Sequence, residues 1–276
     1  MGCSVLAVGK VAKGLRRPTR LFAGYAFDLD GTVYLGDRLL PGADRTIAAV
    51  RVAGRRVVFI SNNPLRTRAQ YAAKLTALGI PAADDDVVNS SSVLVEHLRA
   101  IAPTARLFVM GEASIKTELA AAGFHLTERP GEIDIVIACF DRTFDYRKLQ
   151  IAFDAIRAGA RFIATNRDPY CPTPEGGLPD CAAVIAAVEA CTGHAVEVVV
   201  GKPSPIMGRA LLERLAAPPA ECLIVGDRLE TDVALGAASG MASALVLTGA
   251  TTLERALVAT PRPDFIVERI GEVLPV

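Results

Sequence analysis

Residues 25–32 read Tyr-Ala-Phe-Asp-Leu-Asp-Gly-Thr, an apolar run that ends on two carboxylates two positions apart. In an extended chain alternate side chains share a side, so Asp28 and Asp30 face the same way. Gly31 then permits a sharp turn with no side chain blocking the approach to either acid. Two like charges about 4 Å apart repel by roughly 4 kcal/mol at an effective dielectric near 20. A divalent cation or a shared proton relieves that strain. A turn in which one aspartate merely caps backbone groups suits a single acid better than two after an apolar strand.

Outward from this stretch, short β-like runs alternate with helix-length segments almost to the end of the chain. Tyr25–Leu29, Val57–Ile60, Glu197–Val200, Glu221–Val225, Ser243–Leu247 and Asp264–Val267 read as strands. Between them, Ala43–Ala53, Thr67–Leu78, Ile206–Ala216, Thr231–Ala238 and Leu253–Val258 read as helices. Apolar strands joined by helices predict an α/β fold with a mostly parallel sheet flanked by helices. The middle of the chain repeats the pattern without polar motifs at its strand ends. Leu107–Met110, Ile133–Ala138 and Arg161–Ala164 are its strands, and the helices Glu112–Ala121, Tyr146–Ala158 and Ala182–Ala190 each close on a glycine. That suffices for a second α/β unit with limits near Val88 and Gly193. Gly176-Gly177, among Pro172, Pro174 and Pro179, reads as a loop inside it.

Three more strand ends carry chemistry. Val57-Val58-Phe59-Ile60 runs into Ser61-Asn62-Asn63, a hydroxyl and two amides able to donate to an anion. Alone, such residues are more often caps or turn formers. Val200 precedes Gly201-Lys202-Pro203, where a lysine sits between two backbone-restricting residues. It is either a basic loop or a cation for phosphate oxygens; the glycine pattern and hydroxyl of a P-loop are absent. Leu223-Ile224-Val225 ends in Gly226-Asp227, with Asp232 five positions on at a helix start. Asp232 alone suits a helix terminus, whereas Asp227, like Asp28, follows an apolar strand directly. Carboxylates with carbonyls and water are the hard oxygen ligands that magnesium takes. Parallel α/β sheets bind ligands at the carboxyl ends of their strands, and all four signals lie there. The combination points to phosphoryl-transfer chemistry.

Composition narrows the alternatives. The 30 basic residues balance 30 acidic ones, so no broad positive field exists for a nucleic-acid backbone or an anionic membrane. Six cysteines contain no CxxC pair, and Cys181 and Cys191 fall at opposite ends of one expected helix. Three isolated histidines make a poor zinc site. The apolar stretch Val5–Val11 is short and broken by Lys10, and its basic residues Arg16, Arg17 and Arg20 follow it, which is unlike a signal peptide. It reads as a loose N-terminal extension. No run of eighteen uncharged apolar residues suggests a membrane span, and a cytoplasmic location is expected.

Asp28-Leu29-Asp30-Gly31-Thr32, Ser61, Gly201-Lys202-Pro203 and Gly226-Asp227…Thr231-Asp232 resemble the four ordered motifs of the haloacid dehalogenase-like superfamily. Asp30-Gly31-Thr32-Val33-Tyr34, Ser61-Asn62-Asn63, Ala164-Thr165-Asn166-Arg167-Asp168 and Gly201-Lys202-Pro203-Ser204-Pro205 are similar to its NagD-like, p-nitrophenylphosphatase and phosphoglycolate phosphatase branch. The resemblance implies a Rossmann-like core over 1–87 and 194–276, with an inserted α/β cap over 88–193. It implies a phosphatase that takes a small phosphorylated metabolite and needs Mg²⁺. Asp28 would be the nucleophile and Asp30 the general acid, then base. Asp28, Asp227 and the main-chain carbonyl of Asp30 would hold the metal, with Asp232 supporting the lysine or the metal shell. Ser61 and Lys202 would hold the transferring phosphoryl group, and Asn62 and Thr32 would organise the phosphate or its loop. Thr165, Asn166, Arg167 and Asp168 become cap candidates for substrate selection. Arg167 replaces the proline common in that loop, and an arginine there would pair with an acidic substrate or with Asp168. A homodimer through the cap is a further expectation. A phosphomutase or phosphonate hydrolase would use the same core, and a non-catalytic phosphometabolite-binding protein would lack Asp28 or Asp30. A nicotinamide dehydrogenase would need a glycine-rich turn where this chain has its acids.

Overall fold

The computed structural model describes residues 14–173 and 176–275. The extension Met1–Lys13 lies outside the described residues. The basic residues after it are pinned to the far end of the chain. Arg16 exchanges backbone hydrogen bonds of 2.8 and 3.0 Å with Ile266, Arg17 pairs with Glu272 at 2.8 Å, and Arg20 with Glu221 at 2.7 Å.

Six parallel strands form the first sheet, in the order Phe265–Val267, Ala242–Val246, Cys222–Gly226, Gly24–Asp28, Arg56–Ser61, Val87–Asn89. The strand that carries Asp28 is therefore central. Strand periodicity sorts its side chains: Tyr25 and Phe27 pack with Phe59, Val225, Tyr71 and Leu75 on one face. Ala26 joins Val58, Ile224, Met207 and Leu211 on the other. Register aligns Phe27 with Phe59 and Val225, and Asp28 with Ile60. Ser61, Asp28 and Asp227 thus leave the sheet together at its carboxyl edge.

The second sheet has five parallel strands in the order Val198–Val199, Arg161–Ala164, Ile135–Ala138, Arg106–Met110, His125–Leu126. Helices Tyr146–Arg157 and Cys181–Thr192 cover one of its faces. Strand pairing runs past the expected limits of 88 and 193 at both ends. Val87–Asn89 pairs with Arg56–Ser61 and extends the first sheet past 87, while Val198–Val199 pairs with Arg161–Ala164 and extends the second past 193. A two- or three-residue apolar run announces a strand, but only its hydrogen-bond partner decides which sheet it joins.

One further element is additional to the sequence expectation, and one differs from it. Ser90–Ile101 is a helix, started by Asn89, whose side chain accepts from the Ser92 amide at 3.0 Å. The glycine- and proline-rich loop is an antiparallel hairpin, Tyr170–Thr173 against Gly176–Pro179. A Cβ on Gly177 would stand 2.8 Å from the Tyr170 ring, so the glycine is where the aromatic packs.

Candidate active site

Asp28, Asp30, Ser61, Asn62, Asp168, Lys202, Asp227 and Asp232 all line one cavity of about 40 Å³ between the first sheet and the hairpin. The Lys202 ammonium is buried between Asp28 Oδ1 at 2.5 Å and Asp232 Oδ1 at 2.7 Å. Burial acts to lower its pKa, but Asp232 and Asp28 more than reverse this and raise it, so Lys202 is a fixed cation. Burial raises the Asp28 carboxyl well above the usual carboxylate range; Lys202 opposes this, and Asp232 and Asp227 add to it. Asp227 is pushed up to about 6 by burial and then by Asp232, against donation from the Ala250 amide at 2.6 Å. Asp30 is raised by burial, with Lys74 and Arg66 as the main opposing charges. Ser61 Oγ accepts from the Asn63 amide at 3.1 Å and donates to Tyr71 Oη at 3.3 Å.

The chemistry of this donor set fits a divalent cation. Asp28, Asp227 and Asp232 each offer a carboxylate oxygen, and these oxygens lie within 4.8 Å of one another. Three clustered buried carboxylates crowd negative charge around one ammonium, and a divalent cation offsets such crowding. Asp232 spends both oxygens on protein, Oδ1 on Lys202 and Oδ2 on the Arg228 amide at 3.1 Å. The Asp227 carboxylate is seated against two glycines. A Cβ on Gly31, whose φ is +89°, would stand 2.8 Å from its Oδ2, and one on Gly249 only 1.9 Å from it.

Two stretches of the chain match family models described as haloacid dehalogenase-like hydrolases, over residues 25–125 and 199–273. The sugar-phosphatase AraL of Bacillus subtilis is 38% identical over 91% of this chain and 92% of its own. The chain belongs to the haloacid dehalogenase-like hydrolases. Solved structures agree with its NagD-like, p-nitrophenylphosphatase branch. A 4-nitrophenylphosphatase from Thermotoga maritima superimposes with a TM-score of 0.87 at 36% identity, covering 91% of this chain and 96% of that one. A glycerol phosphate phosphatase from Mycobacterium tuberculosis, in complex with magnesium, gives 0.84 at 33% identity, covering 94% and 78%.

Within this hydrolase, four expected site residues sit differently from their sequence reading. The Asn62 carboxamide is engaged by protein: Oδ1 accepts from the Lys202 amide at 2.7 Å, and Nδ2 donates to the Lys202 carbonyl at 3.2 Å and to Asp168 Oδ2 at 3.1 Å. No donor of that side chain is left for a phosphate. Thr165 and Asn166 are fully buried beneath the cavity, where Thr165 Oγ1 donates to Asn166 Oδ1 at 2.8 Å. Arg167 pairs with Glu189 at 3.4 Å instead of Asp168, and its side chain is 56% exposed. It lines an adjoining cavity of about 400 Å³ together with Arg228 and Arg255.

The sequence reading missed Asp180, Tyr170, Cys171 and Arg228, which also line the catalytic cavity. Asp180 caps the helix Cys181–Thr192, a role any aspartate before a helix suggests, and this hid its second exposure to the cavity. Arg228 donates to the Tyr170 carbonyl at 2.9 Å and lies 4.7 Å from that ring's centre. Its one available signal was adjacency to Asp227.

Proposed function

We propose that Asp28 attacks the phosphorus of a small phosphate monoester while Asp30 protonates the leaving oxygen. The chain is a magnesium-dependent phosphatase acting through an aspartyl nucleophile. The observation that carries this reading is the Asp28–Lys202–Asp232 array, opened on one side to Asp30, Ser61 and Asp227 in a single buried cavity. Lys202 holds Asp28 in place and presents its charge to the phosphoryl oxygens, and the Ser61 hydroxyl would rotate away from Tyr71 to donate to them. Asp30, raised by burial, retains its proton more readily than an exposed aspartate does, as donation to the leaving group requires. After ester cleavage the same carboxylate takes a proton from water, which then splits the acyl phosphate. Asp28, Asp227 and the Asp30 carbonyl would hold Mg²⁺, which when bound would offset the repulsion between an anionic nucleophile and an anionic phosphate.

The leaving group in this reading extends toward the adjoining cavity, where Arg167, Arg228 and Arg255 favour a polar or acidic portion. The inserted cap, expected over 88–193, belongs to the reading too, supported by the five strands of the second sheet between Arg106 and Val199. A homodimer through the cap also belongs to the reading, supported by the exposed Tyr146 and Leu178. So does a cytoplasmic location, supported by Cys139, Cys171, Cys181, Cys191 and Cys222 as free thiols. Among the described residues no helix is long and apolar enough to cross a membrane.

One phosphate-release experiment tests the catalytic assignment, with p-nitrophenyl phosphate and polar monoesters including phosphoglycolate and glycerol phosphate. Asp28→Asn should abolish turnover and phospho-enzyme formation. Asp30→Asn should cost most with leaving groups that need a proton. EDTA should remove activity and Mg²⁺ restore it. Arg167→Ala should lower kcat/KM selectively for acidic esters, about tenfold if about 1.4 kcal/mol of transition-state contact is lost. Turnover by folded Asp28→Asn would sink the nucleophile assignment, and an unchanged substrate ranking would remove Arg167 from specificity.

A further inference from the structure

Asn62 sits where three parts of the molecule meet: the end of the strand Arg56–Ser61, the loop bearing Lys202 and the cap loop bearing Asp168. Its amide orientation is fixed by its partners. The Lys202 N–H needs an oxygen, while the Lys202 carbonyl and Asp168 Oδ2 both need an N–H. Only one orientation satisfies all three. The Asn62 carbonyl in turn accepts from Ser90 Oγ at 2.6 Å, which holds the asparagine from behind.

The chain at Gly201 passes through a gap made for it. Its amide donates to the Thr165 carbonyl at 2.8 Å, and a Cβ there would stand 2.4 Å from that oxygen and 2.6 Å from Asn62 Oδ1. The backbone of Lys202 is thus held on both its polar groups by one side chain. From that anchored backbone its ammonium reaches Asp28 and Asp232. Asp168 Oδ2 also accepts from Asn166 Nδ2 at 3.3 Å, so this carboxylate oxygen joins the cap's own asparagine to that of the first sheet.

We infer that Asn62 is a positioning residue that couples the cap loop at Asp168 to the seating of Lys202 between Asp28 and Asp232. It acts through Lys202 and does not touch the phosphate. Loss of Asp168 removes the acceptor that holds the Asn62 amide in register, and the lysine backbone loses its matched donor and acceptor. The inference rests on the phosphatase reading, because its consequence is measured as phosphate release.

Double-mutant cycles test it, with p-nitrophenyl phosphate as the probe because its good leaving group keeps slow variants measurable. Asn62→Ala should lower kcat tenfold or more in the wild-type background and less than twofold in a Lys202→Ala background. Asp168→Ala should also lower kcat, and should add less than twofold to Asn62→Ala. Asp168→Asn, which keeps an acceptor oxygen for Asn62, should recover most of the activity. Multiplying losses in the Lys202 cycle would mean that Asn62 meets the phosphate itself and would overturn the inference. Multiplying losses in the Asp168 cycle would overturn the coupling to the cap. Should Asn62→Ala not fold, Asp168→Ala against Asp168→Asn on intact Asn62 carries the test, and equal activity of those two variants overturns it. A wild-type protein that releases no phosphate from any ester would instead remove the phosphatase reading.

Discussion

At the scale of the residue, charge type and position were legible where a carboxylate or lysine followed an apolar strand directly. Asp28, Asp227 and Lys202 do so, and they meet in one cavity. Roles that depend on partners far along the chain were not legible. Asn62 is 140 residues from Lys202, and nothing in its neighbourhood announces that its amide is taken. Asp180 was hidden in a different way, because its capping of the cap helix accounts for only one of its oxygens. Oδ1 accepts from Asn166 Nδ2 at 3.0 Å and from the Cys181 amide at 2.5 Å. Burial pushes its carboxyl up to about 7, with Asp168 adding to the shift and Asn166, the Cys181 amide and Arg228 opposing it. Its folded value therefore lies above its unfolded one, and the folded state binds the extra proton between about pH 4 and pH 7. Stability from this group is thus lost as pH rises through that window, the reverse of an ion-paired aspartate. Asp180→Asn keeps the Oδ1 acceptor and removes the charge. Its stability relative to wild type, measured by urea unfolding, should be greater at pH 8 than at pH 5 by about 2–3 kcal/mol. A gap that does not change with pH would show that Asp180 is not held out of water.

At the scale of the element, helices with a clear apolar stripe and a closing glycine were read to within a residue or two. The helix expected over Tyr146–Ala158 is Tyr146–Arg157, and the one expected over Ala182–Ala190 is Cys181–Thr192, closed by Gly193. Elements defined by backbone pairing were harder. Gly176-Gly177 among prolines has no strand propensity, yet its backbone pairs with Tyr170–Thr173. The loop after the strand Ala242–Val246 bears no motif in the sequence. It closes over the Asp227 carboxylate: Thr248 Oγ1 donates to the Gly31 carbonyl at 2.7 Å, and the Ala250 amide to Asp227 Oδ2 at 2.6 Å. Between them, Gly249 leaves no room for a Cβ, which would lie 1.9 Å from that same oxygen. Gly249→Ala must therefore displace the Asp227 carboxylate. The Mg²⁺ concentration for half-maximal phosphate release should rise tenfold or more, with the melting temperature shifted by no more than a few degrees. An unchanged Mg²⁺ requirement would show that Asp227 is free to move without loss.

At the scale of the whole molecule, the order of the four motifs and the alternation of strands and helices were enough to expect a parallel α/β core with an inserted second unit. What the sequence did not disclose is how the two sheets are joined. One hydrophobic cluster contains Ala26, Val58 and Ile224 of the first sheet, Leu94 and Leu98 of the helix Ser90–Ile101, and Met207 and Leu211 of the helix Pro205–Leu215. The same cluster continues into Leu107, Val109, Ile135, Ile137 and Ile163 of the second sheet. The apolar core is therefore continuous from one sheet to the other, and the unexpected helix sits in the middle of it. Separate units joined by exposed linkers can lose one core while the other persists; here, unfolding either sheet exposes apolar surface of both. Calorimetry should accordingly give one endotherm, with calorimetric and van't Hoff enthalpies in agreement. Leu98→Ala, which empties a fully buried site in that helix, should cost about 2–5 kcal/mol and lower the single transition without splitting it. Two resolved endotherms, with only one moved by Leu98→Ala, would show that the shared cluster does not couple the sheets.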